Sequence, residues 1–300
     1  MITKPLISIV IPTTCEIKRA PMLHRAITSI IGQSGVELEV IVVVNGERCD
    51  VATLAALEKY PNLRIIRLQE GNVSAARYAG ACSSQAEFFG FLDDDDEFLP
   101  GGLQHRVVLF SRHHDADVIV TNGYIYVGYD TLHVPATIGE IANQDPAGSL
   151  LRFNWFASSG SLFKASAVNK SLFNIQHKYF EWTYLFFILL LEKNKVLYDP
   201  ALTYRVYQDH PLSVSKSVEY AIAYPEFLAR MLEMPLNGSV IELLKRKYQA
   251  ALNALSIIEM SRGRVRHAWL AHLKCIAKGG WRYLSYTRHL LLNRQANTEL

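Results

Sequence analysis

Four consecutive carboxylates, Asp93, Asp94, Asp95 and Asp96, are the residues best suited to chemistry in this 300-residue chain. Adjacent carboxylates repel one another, which costs stability unless a cation or solvent relieves them. Mg2+ or Mn2+ does so with oxygen ligands from one or two carboxylates, leaving other positions to substrate phosphates and water. A solvated acidic loop, or a cap for a helix starting near Pro100, is the alternative use. The apolar run Phe88-Phe89-Gly90-Phe91-Leu92 favours the cation, because it reads as a buried strand that delivers the carboxylates to a ligand-binding edge.

Positioning such a run requires a sheet, and the first half of the chain supplies one. Residues 6–11 form a short β-branched run ended by Pro12, and Leu23, Ala26, Ile27, Ile30 and Ile31 have helical spacing after Pro21. Residues 37–44 give a second strand broken by Asn45-Gly46, after which Asp50 can cap a helix carrying Val51, Leu54 and Leu57. A third strand over 62–68, a small-residue helix over 74–82 and a fourth strand over 88–92 complete the series. The expectation is an α/β fold, a Rossmann-like, mostly parallel sheet with helices on both faces and ligands beyond the carboxyl ends of its strands. Pro12-Thr13-Thr14, Asn45-Gly46 and the acidic run would then share one crevice. Residues 117–127 read as a strand interrupted at Asn122-Gly123, where a bulge and a hairpin both fit.

After about residue 215 the pattern turns helical. Leu243, Leu244, Tyr248, Ala251, Leu252, Leu255 and Ile258 form one stripe, and another begins near Val265. Two domains are expected, 1–215 and a helical appendage over 216–300. From Arg262 to Asn297 the basic residues Arg262, Arg264, Arg266, Lys274, Lys278, Arg282, Arg288 and Arg294 occur with no acidic residue, accompanied by Trp269, Trp281, Tyr283, Tyr286 and Leu290-Leu291-Leu292. A peripheral helix at an anionic membrane surface and a solvated basic face both match this composition.

Half of the residues are hydrophobic and a fifth charged, which suits a globular chain with a substantial core. A net charge of +3 gives no sign of nucleic-acid binding. Cys15, Cys49, Cys82 and Cys275 form no zinc-ligand spacing and read as reduced thiols of a cytoplasmic protein. The amino terminus lacks the apolar stretch of a secretory signal. The apolar run 184–191 falls short of the roughly 20 residues that span a bilayer.

The string Phe91-Leu92-Asp93-Asp94-Asp95-Asp96-Glu97-Phe98-Leu99-Pro100 resembles the Asp-x-Asp region of family 2 glycosyltransferases of the GT-A fold. Ser8-Ile9-Val10-Ile11-Pro12-Thr13 is similar to that family's opening strand and turn, and Glu39-Val40-Ile41-Val42-Val43-Val44-Asn45-Gly46 to its second strand. Gly71-Asn72-Val73-Ser74-Ala75-Ala76-Arg77-Tyr78-Ala79-Gly80 is similar to its Gly-Asn-x-x-x-x-Ala-Arg-Asn-x-Gly segment. The resemblance implies that Pro12, Thr13 and Thr14 line a nucleoside pocket and that Asn45, where the family often has Asp, contacts the base. It implies that Arg77 orients nucleotide or phosphates, Asp93 lies near ribose and metal, and Asp95 is the principal metal ligand. Asp94 holds the family's variable position beside the donor nucleotide and is the least informative of the four; Asp96 is left between metal support and loop structure.

Sugar transfer with inversion also needs a base for the acceptor hydroxyl. Phe180-Glu181-Trp182-Thr183-Tyr184-Leu185 resembles the family's Glu-Asp-Trp-x-Leu helix start, which makes Glu181 the expected base, with Phe180 in place of the preceding acid. Asn154-Trp155-Phe156-Ala157-Ser158-Ser159-Gly160-Ser161 looks like the acceptor-side loop, so Trp155, Ser159 and Gly160 are expected at the acceptor, with a buried aromatic as the other reading of Trp155. Tyr204-Arg205-Val206-Tyr207-Gln208-Asp209-His210 resembles the Tyr-Arg-x-His segment, which implies Arg205 at the diphosphate and His210 at phosphate or metal. The implied activity is an inverting, Mn2+- or Mg2+-dependent transfer of a hexosyl or N-acetylhexosaminyl group. The donor would be a nucleoside diphosphate sugar, a UDP-sugar first, and the acceptor a hydroxyl of a glycan or lipid-linked acceptor in surface polysaccharide assembly. The alternative is a non-catalytic nucleotide-sugar-binding module of the same fold. An aspartate-dependent phosphohydrolase is disfavoured, since it would want acid on the first strand, where Pro12-Thr13-Thr14 stands.

Overall fold

The computed structural model describes residues 7–175, 178–208 and 217–296. The chain divides into two compact units, Met1–His210 and Pro211–Leu300; the expected boundary after residue 215 lies outside the described residues.

The first unit is built on one sheet. Strands β1 (Ile7–Thr13), β2 (Leu38–Asn45), β3 (Leu63–Leu68) and β4 (Phe88–Phe91) form a parallel half in the order β3-β2-β1-β4. Beyond β4 come β8 (Ser161–Lys164), β6 (Val118–Tyr126), β9 (Val196–Tyr207) and β5 (Glu97–Phe98), with β7 (Asp130–Leu132) paired to β6. In this second half β6 and β9 run parallel and the other pairings are antiparallel.

Burial on both faces explains the continuous β-branched runs of β1 and β2. Ile7, Ile9 and Ile11 pack with Leu23, Ala26, Ile27 and Ile30 of α1 (Ala20–Ile31) and with Leu103, Leu109 and Phe110 of α4 (Gly102–Arg112). On the opposite face Val10 meets α3 (Val73–Ser83) at Gly80, where a Cβ would sit 2.3 Å from Val10 Cγ1. An aromatic cluster covers the same face beside β4: Phe89, Phe91, Phe163 and Phe173 pack with one another and with Trp182 of α7 (Glu181–Leu191), and Phe156 links Phe163 to Phe186 of the same helix.

The capping residues act as their types suggest. Asp50 accepts from Thr53 N at the start of α2 (Val51–Leu57), and Asn72 Oδ1 accepts from Ser74 N and Ala75 N at the start of α3. Strand β1 continues past Pro12, whereas the sequence suggested an end at Ile11. Pairing to β4 stops at Val10 and leaves one side of β1 open, where proline is tolerated. At Asn122-Gly123 the chain makes a bulge: the register of β6 on β9 slips on both sides of Asn122. Asn122 bonds Val134 through both its oxygen and its amide nitrogen, and Gly123 lies so close to Tyr204 that a Cβ would sit 2.6 Å from its ring. Two short helices, α5 (Ala136–Ala142) and α6 (Pro146–Arg152), precede β8.

The second unit is helical: α8 (Val218–Met231), α9 (Gly238–Ser261), α10 (Val265–Ala277) and α11 (Tyr286–Ala296). The expected stripe on α9 is its buried side, with Leu244, Tyr248, Ala251 and Leu252 turned inward. Met260, Ala268 and Leu290 join α9, α10 and α11 in a small apolar centre.

Candidate functional site

The acidic run leaves the carboxyl end of β4, held to β1 by Leu92 N donating to Val10 O, and its four side chains go to different partners. Asp94 turns inward. Only 4% exposed, it accepts from Thr13 Oγ1 at 2.5 Å and from Arg19 Nε at 2.8 Å, with a further bond from Arg19 Nη2. The least informative aspartate of the sequence is thus the one that ties the run to β1 and to the residue before α1. Thr13 also accepts from Cys15 N, at a residue of positive φ that turns the chain after β1. Asn45 Nδ2 donates to Thr13 O at 3.1 Å, which joins the ends of β1 and β2. Pro12, Thr13 and Asn45 are buried; Thr14 is the less buried residue of the segment expected to line a nucleoside pocket, with its Oγ1 enclosed.

Asp93 faces the other way. Its carboxylate accepts from Arg77 Nη2 at 2.8 Å and from Ser158 Oγ at 3.3 Å. Arg77 is no surface residue of α3: it is largely buried, and its guanidinium lies 5.3 Å from the Trp182 ring. Trp182 follows Glu181, the first residue of α7, and Glu181, Arg77 and Ser74 line a narrow recess with Phe173, Ile175 and Leu185. Burial raises the Glu181 carboxyl above its ordinary range, opposed by the charge of Arg77 and reinforced by Asp93. Phe180, just before it, has φ 62°, a left-handed conformation uncommon outside glycine that sets the direction of entry into α7. The sequence's donor arginine, first aspartate and base are therefore brought together.

Asp95 stays partly open, with its side chain 35% exposed, and one oxygen lies 3.1 Å from Arg19 Nη2. Burial, then the charges of Asp93 and Asp94, raise its pKa. Asp96 is buried and accepts from Ser159 Oγ at 2.9 Å and Tyr207 N at 3.3 Å; desolvation pushes its carboxyl well above the ordinary range. These bonds make Asp96 a structural link between the loop before β8 and the end of β9.

The acceptor-side expectations need correction. Trp155 is fully buried: its ring packs edge-on against Phe186 and Tyr198, and its Nε1 donates to Ser149 Oγ at 2.9 Å, so no face is free to stack on a sugar. Ser159 is spent on Asp96 and on Arg106, whose Nη2 donates to Ser159 O. Gly160 O accepts from Thr121 N, and a Cβ at Gly160 would lie 2.9 Å from Thr121 O. The loop residue that reaches the site is Ser158, one position earlier. Arg205 is likewise engaged elsewhere: it holds Asp130 at 2.7 and 2.8 Å and also Glu97, an arrangement that stabilises β5 against β9 and does not point the guanidinium at Asp93 or Asp95. His210 lies outside the described residues.

Sequence reasoning missed several participants. Arg19, just before α1, and Arg25, within it, drew no role from the sequence, yet Arg19 neutralises Asp94 and Asp95, and Arg25 donates to the Asp95 carbonyl while stacking 3.7 Å from the Tyr207 ring centroid. Arg106 is wholly buried and forms no salt bridge among the described residues; it is bonded to Thr121, Ser159 and Thr203 and lowered to a pKa of about 9 by desolvation. The usable signal for Arg19 and Arg25 was charge balance, since four crowded carboxylates call for cations nearby.

A divalent cation fits the donor set in a limited way. Asp93 and Asp95 offer partly exposed carboxylate oxygens, which suit Mg2+ or Mn2+. Among the described residues no three His, Cys, Asp or Glu side chains converge on one point. Donor phosphates and water would have to complete the coordination.

The chain is similar to known proteins in sequence and in fold. The family model described as Glycosyl transferase family 2 matches residues 8–179. An uncharacterized glycosyltransferase of Rickettsia prowazekii is 28% identical over 41% of this chain and 37% of its own length. A poly(ribitol-phosphate) beta-N-acetylglucosaminyltransferase of Staphylococcus aureus, TarP, is 27% identical over 55% of this chain and 50% of its own. The chain thus spans half or less of the length of these two curated relatives. Among solved structures, S. aureus TarS 1–349 in complex with UDP-GlcNAc superposes with a TM-score of 0.64 at 15% identity, over 92% of this chain and 91% of that one, a likeness of fold.

Proposed function

Because the chain belongs to glycosyl transferase family 2, we propose that it transfers a sugar with inversion from a nucleoside diphosphate sugar to a hydroxyl of a glycan or lipid-linked acceptor in surface polysaccharide assembly. The observation that carries this reading is the grouping of Asp93, Arg77 and Glu181 where β4, α3 and α7 meet. UDP-N-acetylglucosamine is the first donor to test, since TarS was crystallised with it and TarP is named for transfer of that sugar.

In this mechanism Glu181 accepts the proton of the acceptor hydroxyl as its oxygen bonds to the anomeric carbon, while the bond from that carbon to the diphosphate oxygen breaks and its electron pair leaves with the diphosphate. The raised pKa of Glu181 makes it a stronger base than a solvated carboxylate. Arg77 fixes the direction of Asp93 and supplies positive charge at the same place. Asp93 and Asp95 would hold Mn2+ or Mg2+, and when bound the metal would offset negative charge on the diphosphate. Arg19 keeps Asp94 anchored and out of that role.

The deciding experiment screens nucleoside diphosphate sugars for released nucleoside diphosphate with Mn2+, Mg2+ or chelator. Turnover that depends on the metal is expected. Absence of turnover with every donor, together with no metal-dependent nucleotide binding, would refute the reading. Donor binding with no turnover in any acceptor mixture would favour a non-catalytic binding module.

A further inference from the structure

We propose that the outward face of α10 and the turn that follows it dock on an anionic lipid bilayer. The helix is amphipathic in an unusual sense. Its inner side carries Ala268, Ala271, His272 and Cys275. Its outer side, at positions i, i+4, i+7 and i+8, carries Arg266, Leu270, Leu273 and Lys274, all exposed. Leu270 is 65% and Leu273 58% exposed, and Trp281 in the next turn is 65% exposed beside the exposed Arg282. Seven of the large hydrophobic side chains exposed in the chain lie between residues 270 and 292.

Charge selects the occupant. Residues 211–300 contain 13 Lys and Arg against 6 Asp and Glu, a formal +7, while residues 1–210 contain 18 against 22, a formal −4. No acidic residue occurs from 260 to 297. A second copy of the same face would bring like charges together, whereas an anionic bilayer offers attraction to Arg266, Lys274 and Arg282 and an acyl region for the leucines and the tryptophan. A soluble polyanion would use the cations and leave the leucines in water. No helix among the described residues is long and apolar enough to cross a membrane, so contact through this face would be interfacial.

The test is co-sedimentation of the full chain with vesicles of phosphatidylcholine alone or mixed with phosphatidylglycerol, at low and high salt. It is read without any sugar donor, so its outcome is independent of the catalytic reading. Binding is expected with the mixed vesicles, weaker in high salt and at least tenfold weaker with phosphatidylcholine alone. Leu270→Ser with Leu273→Ser should reduce binding to mixed vesicles at least tenfold while leaving helicity and thermal melting unchanged. Arg266→Glu with Lys274→Glu should abolish the response to phosphatidylglycerol. Equal sedimentation of the parent and the serine variant would overturn the proposal, as would failure to bind mixed vesicles. So would a concentration-dependent dimer that the serine variant disrupts without any loss of vesicle binding.

Discussion

Arg77 and Asp93 form an ion pair at 2.8 Å that joins the middle of α3 to the carboxyl end of β4, with the Arg77 guanidinium over the Trp182 ring, 5.3 Å from its centroid. Arg77→Gln should therefore act on function more than on folding. A hydrogen bond to a charged group is worth about 1.5–3 kcal/mol, which corresponds to a loss of roughly 10- to 160-fold in kcat/KM. Steady-state release of nucleoside diphosphate checks this; an unchanged kcat/KM would remove Arg77 from the site.

Asp94 and Asp95, neighbours in the chain, should separate cleanly under mutation. Asp94→Asn keeps one oxygen that can still accept from Thr13 but removes the charge opposite Arg19 and turns an NH2 toward one of its donors, and breaking such pairs costs about 3–5 kcal/mol when both partners are buried. Arg19 is partly exposed, so the lower end of that range or less is expected. Asp95→Ala should leave the melting temperature within a few degrees while removing metal-dependent nucleotide binding. Thermal denaturation and calorimetric titration of nucleotide with Mn2+ separate the two.

Trp155→Ala tests the corrected acceptor loop. Removing a buried tryptophan costs about 3–5 kcal/mol, and with the ring enclosed by Phe156, Phe186 and Tyr198 the loss should appear as lower stability. Ser158→Ala, by contrast, should spare stability and reduce turnover, because Ser158 Oγ reaches Asp93. A rise in acceptor KM for Trp155→Ala with unchanged melting would restore the stacking role.

How far the sequence leads depends on how periodic each segment is. The first four strands and the helices between them were readable because Ile7, Ile9, Ile11 and the β2 valines are buried on regular elements, and Asp50 and Asn72 cap as their chemistry dictates. Asn122-Gly123 could not be decided locally: bulge and hairpin differ in long-range register, which here is set by β9 and Tyr204. The loop over 154–160 has no period, so nothing in it distinguished inward Trp155 and Ser159 from Ser158. The resemblance to the family's motifs is what assigned Arg77, Asp93 and Glu181 to one site, whereas Asp94 looked idle because its partner Arg19 lies 75 positions away.

Gly80→Ala should disturb the seating of α3 through volume alone. The added Cβ would meet Val10 Cγ1 at 2.3 Å, and overpacking of this kind costs about 1–3 kcal/mol. Since α3 also carries Arg77, turnover should fall with stability, and Val10→Ala in the same chain should recover both. Recovery of melting temperature without recovery of activity would show that α3 had shifted.

Glu181 gives the pH dependence. A base acts only when deprotonated, so turnover should rise with pH through the Glu181 pKa in the donor complex. Burial raises that pKa and the Arg77 charge lowers it, so the acid limb of the kcat/KM profile should lie above the ordinary glutamate range and move to still higher pH in Arg77→Gln. Glu181→Gln should bind donor normally and lose transfer by at least about 100-fold, the low end for general-base catalysis. An acid limb that persists unchanged in the residual activity of Glu181→Gln would assign the base to another group, and Asp93, Arg77's partner, would be the next to replace.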